Sequence, residues 1–209
     1  MSNIKIINFF KKNKYVIVNK ILSEEMSDFL YKYLLLKRQV ASTLFKSNYI
    51  DKNLEDFGHW KDPQVMNTFS IYGDVAMETL LIKLMPVMKE ITNLNLNPNY
   101  AFARVYKKHD ILHKHKDRES CEISTTLNLG GDSWPIFLKI KKQKIKVLLN
   151  PGDMLVYRGC ELEHWREEFK GENCGQVFLH YNSILTTKNI FDDRPHLGLP
   201  CWFRKKIII

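Results

Sequence analysis

Cysteine is scarce in this chain of 209 residues, with four at positions 121, 160, 174 and 201. No two of them form a C-x-x-C pair, so zinc-knuckle and iron–sulfur spacings are excluded. So few thiols argue against a disulfide scaffold and for a reducing, cytoplasmic setting. Long apolar runs are missing too. The opening stretch, MSNIKIINFFKKNKYVIVNK, is interrupted by lysines and lacks an apolar core with a small-residue cleavage site. No signal peptide and no membrane span are expected. Low-complexity tracts and short repeats are absent. Acidic residues are in deficit, 23 Asp and Glu against 32 Lys and Arg, for a formal net charge of +9. A positive surface favours anionic partners, among them nucleic acid, acidic proteins, membrane surfaces and phosphorylated small molecules, without choosing one.

What is present suffices for a core. The apolar fraction is 44%, and the length suits one domain over 1–209. Three parts are expected within it: N-terminal strands and supporting helices over 1–97, a β-rich core over 98–183, and a tail over 184–209 packed on that core. Residues 4–7 and 15–18 are β-branched runs and read as strands. Ser23, followed by Glu24 and Glu25, caps a helix running to about Ser42. Its apolar face is read as Met26, Phe29, Leu30, Tyr33, Leu34 and Val40. Residues 43–72 are irregular and aromatic-rich, and read either as a lid or substrate wall or as a loop pinned to the core. A second helix fits Asp74–Thr92, with Pro86 expected to bend or divide it.

From residue 100 the period becomes strand-like. Strands are expected at 100–107, near the start of 113–117, and at 123–129, 136–140, 145–149, 154–157, 161–166 and 176–181. Asn150-Pro151-Gly152-Asp153 is a turn. Short strands with this punctuation favour a sandwich or barrel over βαβ units. Trp202 and Phe203 are expected to tie the tail to the body, and Ile207–Ile209 to add an edge strand.

Residues 113–117 read His-Lys-His-Lys-Asp. In an extended strand, side chains two apart share a face, so His115 and Asp117 can meet one metal with Lys116 turned away. His164 offers a second imidazole. Two histidines and one carboxylate are the facial set that holds non-haem Fe(II) with open coordination positions. An isolated H-x-D is common on wet surfaces. His113 competes on the same strand face, and a His113–His115 pair without Asp117 is the alternative.

Six segments in order resemble the Fe(II)- and 2-oxoglutarate-dependent oxygenases, in their prolyl-hydroxylase-like branch. They are Ala-Arg-Val-Tyr at 103–106, His115-x-Asp117, Cys-Glu-Ile-Ser-Thr-Thr-Leu-Asn-Leu at 121–129, Asn-Pro-Gly-Asp at 150–153, His164, and Val-Phe-Leu-His-Tyr at 177–181. The resemblance spans residues 98–183. It implies an all-β core with flanking helices, a double-stranded β-helix (jelly roll, cupin-like), as the catalytic core. It also implies His115, Asp117 and His164 as iron ligands and catalytic centre. Tyr106 matches a tyrosine that lines the cosubstrate pocket, and Thr126 and Asn128 share a strand face that would add to it. The family's basic residue about ten positions past the distal histidine is missing, since Asn173, Cys174 and Gln176 stand there. Arg166, facing the same way as His164, is the first candidate for the carboxylate clamp, ahead of Arg104 and Lys139.

The implied cofactors are Fe(II), 2-oxoglutarate and O2, with ascorbate as an accessory reductant. The implied reaction hydroxylates a peptidyl, prolyl included, or amino-acid substrate and releases succinate and CO2. Small-molecule substrates stand close behind. Alternatives are a nucleic-acid demethylase or hydroxylase of the same superfamily, and a non-enzymatic cupin-like metal-binding module. The dense basic cluster Lys139, Lys141, Lys142, Lys144 and Lys146 reads first as a solvated edge, so nucleic acid is not favoured. No membrane partner is expected, and the oligomeric state is not legible.

Overall fold

The computed structural model describes residues 3–51, 54–185 and 190–203. The chain opens with helix α1 (Asn3–Asn13), not a strand. The alternation Ile4, Ile6 misleads. The side chains that pack inward are Ile6 and Phe10, four apart, which is helical spacing, while Ile4 is exposed. Strand β1 (Tyr15–Val18) follows as expected.

Helix α2 (Glu24–Lys46) starts where Ser23 accepts a hydrogen bond from the Met26 amide, and Glu24 and Glu25 meet the positive end of its dipole. It runs past Ser42. Its buried stripe is Ser27, Leu30, Leu34 and Ala41, whereas Met26, Phe29 and Val40 are exposed. After strand β2 (Phe69–Tyr72), Asp74 caps helix α3 (Val75–Thr92), its side chain accepting from the Ala76 and Met77 amides. Pro86 does not divide α3, which ends only where Asn93 turns left-handed at φ 54°.

The remaining elements are β3 (Leu96–Lys107), β4 (Leu112–His115), β5 (Ile123–Gly131), β6 (Ile136–Ile140), β7 (Gln143–Val147), β8 (Met154–Tyr157), β9 (His164–Arg166) and β10 (Asn173–Ser183). Between β7 and β8 lies the expected turn, where Gly152 takes φ +86° and the Asn150 amide donates to Asp153 Oδ2. A Cβ on Gly152 would stand 2.7 Å from the Leu22 carbonyl oxygen.

The strands make two antiparallel sheets, one of six strands in the order β1-β8-β5-β10-β3-β2 and one of four in the order β4-β9-β6-β7. The expected double-stranded β-helix, a closed jelly roll of cupin type, does not form. The two long strands, β3 and β10, spend their hydrogen bonds on each other and on β2 and β5. The strands left at the edges, β1, β2, β4 and β7, have four or five residues each and find no second strand to pair with among the described residues, β2 adding only an isolated bridge from Ser70 to His59. What forms is an all-β core of two open sheets with three flanking helices.

Period-two alternation then sorts the side chains. On β3, Ala101, Ala103 and Val105 join the large apolar core under α2 and α3. On β5, Ile123, Leu127 and Leu129 do so, and on β10, Val177, Leu179 and Tyr181. Each fully buried aliphatic side chain there contributes about 1.5–3 kcal/mol. On β8, Met154 and Val156 join that core, while Leu155 and Tyr157 face Ile136 and Leu138 of the smaller sheet. The functional residues stand on this inter-sheet side.

The tail is tied down differently from expectation. Trp202 and Phe203 are exposed. Arg194 is fully buried instead, donating to Glu78 of α3 at 2.7 Å and to the Asn99 carbonyl. Residues 207–209, expected as a strand, lie outside the described residues. No helix among the described residues is long and apolar enough to cross a membrane.

Candidate metal centre

His115 is the last residue of β4 and pairs in register with His164, the first of β9. Antiparallel pairing of these two short strands brings together imidazoles from distant parts of the chain, with ring centroids 4.2 Å apart. Asp117 lies beyond the strand end rather than on it. Its amide donates to the Gly159 carbonyl at 3.0 Å, which returns the carboxyl group toward both rings. One donor atom from each of His115, Asp117 and His164 lies within 4.8 Å of the others. Asp117 Oδ1 is 3.4 Å from His164 Nε2 and 3.6 Å from His115 Nε2.

The tautomers follow from hydrogen bonding. His115 Nδ1 is 2.8 Å from the His113 carbonyl and His164 Nδ1 is 3.0 Å from that of Leu162. A carbonyl only accepts, so both Nδ1 atoms carry hydrogen and both Nε2 lone pairs face Asp117 Oδ1. This is the arrangement that presents neutral imidazole to a metal. Burial, and then the neighbouring His164, push His115 below the usual imidazole range. Burial works against charge on Asp117, but contacts with His164, His180 and the Ser124 hydroxyl outweigh it and hold the carboxyl well below the usual carboxylate range. Two neutral imidazoles and one carboxylate fit Fe(II). His113 is exposed and contributes only its backbone.

A cavity of about 440 Å3 opens beside these three residues. The inter-sheet face of β3 (Tyr100, Phe102, Arg104 and Tyr106) forms one wall, and Phe178 and His180 of β10 continue it. Lys116, expected to turn away, also lines the cavity, because the chain leaves the strand after His115. Of the four expected cosubstrate residues, Tyr106 lines the cavity. Thr126, Asn128 and Arg166 lie in a buried polar layer outside its lining. Thr126 donates to Gln176 at 2.9 Å, and Gln176 donates to Asn128 at 3.2 Å.

Arg166 is fully buried among neutral acceptors. It donates to the Trp134 carbonyl, to Thr126 at 3.3 Å and to Gln176 at 3.4 Å. Its Nε has no partner, and no carboxylate pairs with it among the described residues. Arg104, the weaker candidate, does line the cavity, but its guanidinium is already paired with Asp62 and also donates to Tyr106 at 2.9 Å. Lys139 points to Glu163 at the surface, 3.2 Å away. The irregular stretch 43–72 is divided in role. Trp60 packs against Phe45 and Phe69, while Asp62, Gln64 and Tyr72 reach the cavity.

Sequence reasoning missed Asp62, Ser124, Tyr100 and His180. Ser124 was within reach, since it precedes Thr126 by two and Asn128 by four on the same face. The others carry no spacing signal.

No family model matches the chain, and no curated protein matches it. Solved structures do. The non-haem α-ketoglutarate-dependent epimerase SnoN from nogalamycin biosynthesis superposes with a TM-score of 0.66 at 12% identity, covering 95% of this chain and 95% of that one. A Pseudomonas putida prolyl-4-hydroxylase gives 0.65 at 11% identity, covering 87% and 98%. HygX from Streptomyces hygroscopicus, with nickel and 2-oxoglutarate bound, gives 0.63 at 10%, covering 86% and 87%. The chain therefore shares its fold with these structures, a prolyl hydroxylase among them. Within that fold the His/Asp/His cluster is a donor set that fits Fe(II).

Proposed function

We propose that the chain is a dioxygenase that couples oxidation of 2-oxoglutarate, with release of succinate and CO2, to hydroxylation of a peptidyl (prolyl included) or amino-acid substrate. The observation that carries this reading is the convergence of His115, Asp117 and His164, with both imidazoles tied through Nδ1 to backbone carbonyls and both Nε2 atoms turned toward Asp117. Bound Fe(II) would supply open positions for a bidentate cosubstrate and dioxygen, and with them the redox chemistry.

The chain's own residues do the rest. Arg166 is proposed as the clamp for the far carboxylate of 2-oxoglutarate. It stands two residues along β9 from His164, about 7 Å inward on the same face, comparable with the length of a five-carbon diacid. A buried guanidinium without a counterion is costly, and a ligand carboxylate relieves that cost. Trp134 packs under Arg166 and against Tyr106, which links the clamp to the cavity wall. Thr126 and Asn128 act through this layer, fixing Gln176 and so the guanidinium. Tyr106 and Leu112 exclude water from the inner end of the cavity. The outer aromatic wall of Tyr72, Tyr100, Phe102 and Phe178 would seat the substrate.

A peptide is the leading substrate, in keeping with the likeness to prolyl hydroxylase. A small molecule is the second reading, in keeping with the likeness to SnoN. Nucleic acid is not favoured, because Lys139 and Lys144 of the basic hairpin are paired with Glu163 and Glu167 at a sheet edge. The test is succinate formation by the Fe(II)-loaded protein with 2-oxoglutarate and O2, over prolyl peptides and free amino acids. Iron-dependent succinate stimulated by a peptide is expected. Stimulation by amino acids alone moves the substrate class, and tight iron binding with no succinate in any mixture makes the chain a binding module.

A further inference from the structure

Asp117 divides its two carboxylate oxygens. Oδ1 faces the two imidazoles, while Oδ2 is 2.6 Å from the Ser124 hydroxyl. The same hydroxyl oxygen lies 3.1 Å from the Cys121 carbonyl and 3.1 Å from His180 Nδ1. A hydroxyl has one hydrogen to give. Were it given to His180 or Cys121, two oxygens without a hydrogen between them would face each other at 2.6 Å. Ser124 therefore donates to Asp117, and His180 Nδ1 donates to Ser124.

The ring of His180 is held for that role. It packs on Tyr100 with centroids 4.5 Å apart, and Tyr100 stacks on Tyr72 at 4.9 Å. Burial pushes its pKa down to about 4, so the ring is neutral at pH 7. The space for the carboxylate is kept open by Gly159, where a Cβ would come within 2.2 Å of Asp117 Oδ2 and 2.5 Å of Ser124 Oγ.

Building on the oxygenase reading, we propose that Ser124 and His180 are positioning residues for the metal carboxylate. The chain His180 Nδ1–H, Ser124 O–H, Asp117 Oδ2 withholds one oxygen and presents the other, and it leaves Nε2 of His180, a residue of the cavity wall, as a hydrogen-bond acceptor. Partners of this kind around a metal site alter affinity by about 10–100-fold.

The first test is nitrogen-15 NMR of the wild-type, metal-free protein at pH 7. The Nδ1–H tautomer of His180 is expected, and the Nε2–H tautomer overturns the proposal. The second is calorimetric titration with Mn(II). Ser124→Ala is expected to weaken Mn(II) binding about tenfold. His180→Leu is expected to lose less, and His180→Asn, whose amide keeps a donor near the Nδ1 position, to stay near wild type. Wild-type affinity in Ser124→Ala removes Ser124 from this role. If the wild-type protein binds no Mn(II), the oxygenase reading fails, while the tautomer still decides the hydrogen-bond chain by itself.

Discussion

Along β3, β5 and β10, neighbouring residues meet opposite fates. Ala101, Ala103, Leu127, Val177 and Leu179 enter an apolar core beneath the helices. Arg104, Tyr106, Ser124, Thr126, Gln176 and His180, one position away along the same strands, form a polar layer between the sheets. Both faces are equally inaccessible to water, so exposure does not distinguish them. The helix face is stabilising through area removed from water. The inter-sheet face carries desolvation costs that hydrogen bonds only offset, and at Arg166 not fully. Stability and chemistry are thus carried by alternate residues, and substitutions should separate them.

The largest loss of activity is expected at Asp117. Asp117→Ala should reduce iron-dependent succinate formation to background while the protein stays folded, as circular dichroism would show. Retained turnover would remove Asp117 from the ligand set. Arg166→Met comes next. Loss of a buried charge contact to the cosubstrate is worth about 3 kcal/mol, so 2-oxoglutarate affinity should fall by more than about a hundredfold. Because the guanidinium has no counterion, stability should be unchanged or higher. Unchanged cosubstrate affinity would return the clamp to Arg104.

On the helix face, Leu127→Ala should cost about 3 kcal/mol of stability, with 2-oxoglutarate affinity unaltered in the folded protein. A comparable loss of cosubstrate affinity would blur the two faces. The smallest effect concerns acid. The native pKa of His180 lies near 4, below the ordinary value of about 6.5. As pH falls below 6.5 the unfolded chain takes up a proton that the folded one refuses, so stability declines until about pH 4 and then levels. His180→Asn should remove on the order of 2 kcal/mol of that decline, seen as the variant-to-wild-type difference in urea unfolding between pH 7 and pH 4.5. The ordinary carboxylate value of about 3.9 lies below this pH window, so protonation of Asp117, although coupled to His180, adds little to the difference.

How far these features were legible depends on how local their signals are. His115 and Asp117 announce themselves by spacing, and His164 by its order after the Pro-Gly-Asp turn. Ser23 and Asp74 mark helix starts through chemistry within four residues. Strand positions followed from alternation, although β3 and β10 run longer than their apolar segments suggested. Helix α1 was misread because a short run of isoleucines fits either period. Open sheets replaced the expected closed β-helix because closure depends on edge strands finding partners, which no window of sequence records. The contacts of Arg104 with Asp62, 42 residues apart, and of Arg194 with Glu78, 116 apart, carry no pattern at all.

Anaerobic titration of the Fe(II)-loaded protein with 2-oxoglutarate tests most directly whether the His115, Asp117 and His164 cluster and the cavity beside it together hold iron and 2-oxoglutarate. A weak visible charge-transfer band that grows and saturates, and is lost in Asp117→Ala, is the predicted result. Iron that binds without any such band, at saturating 2-oxoglutarate, would contradict it.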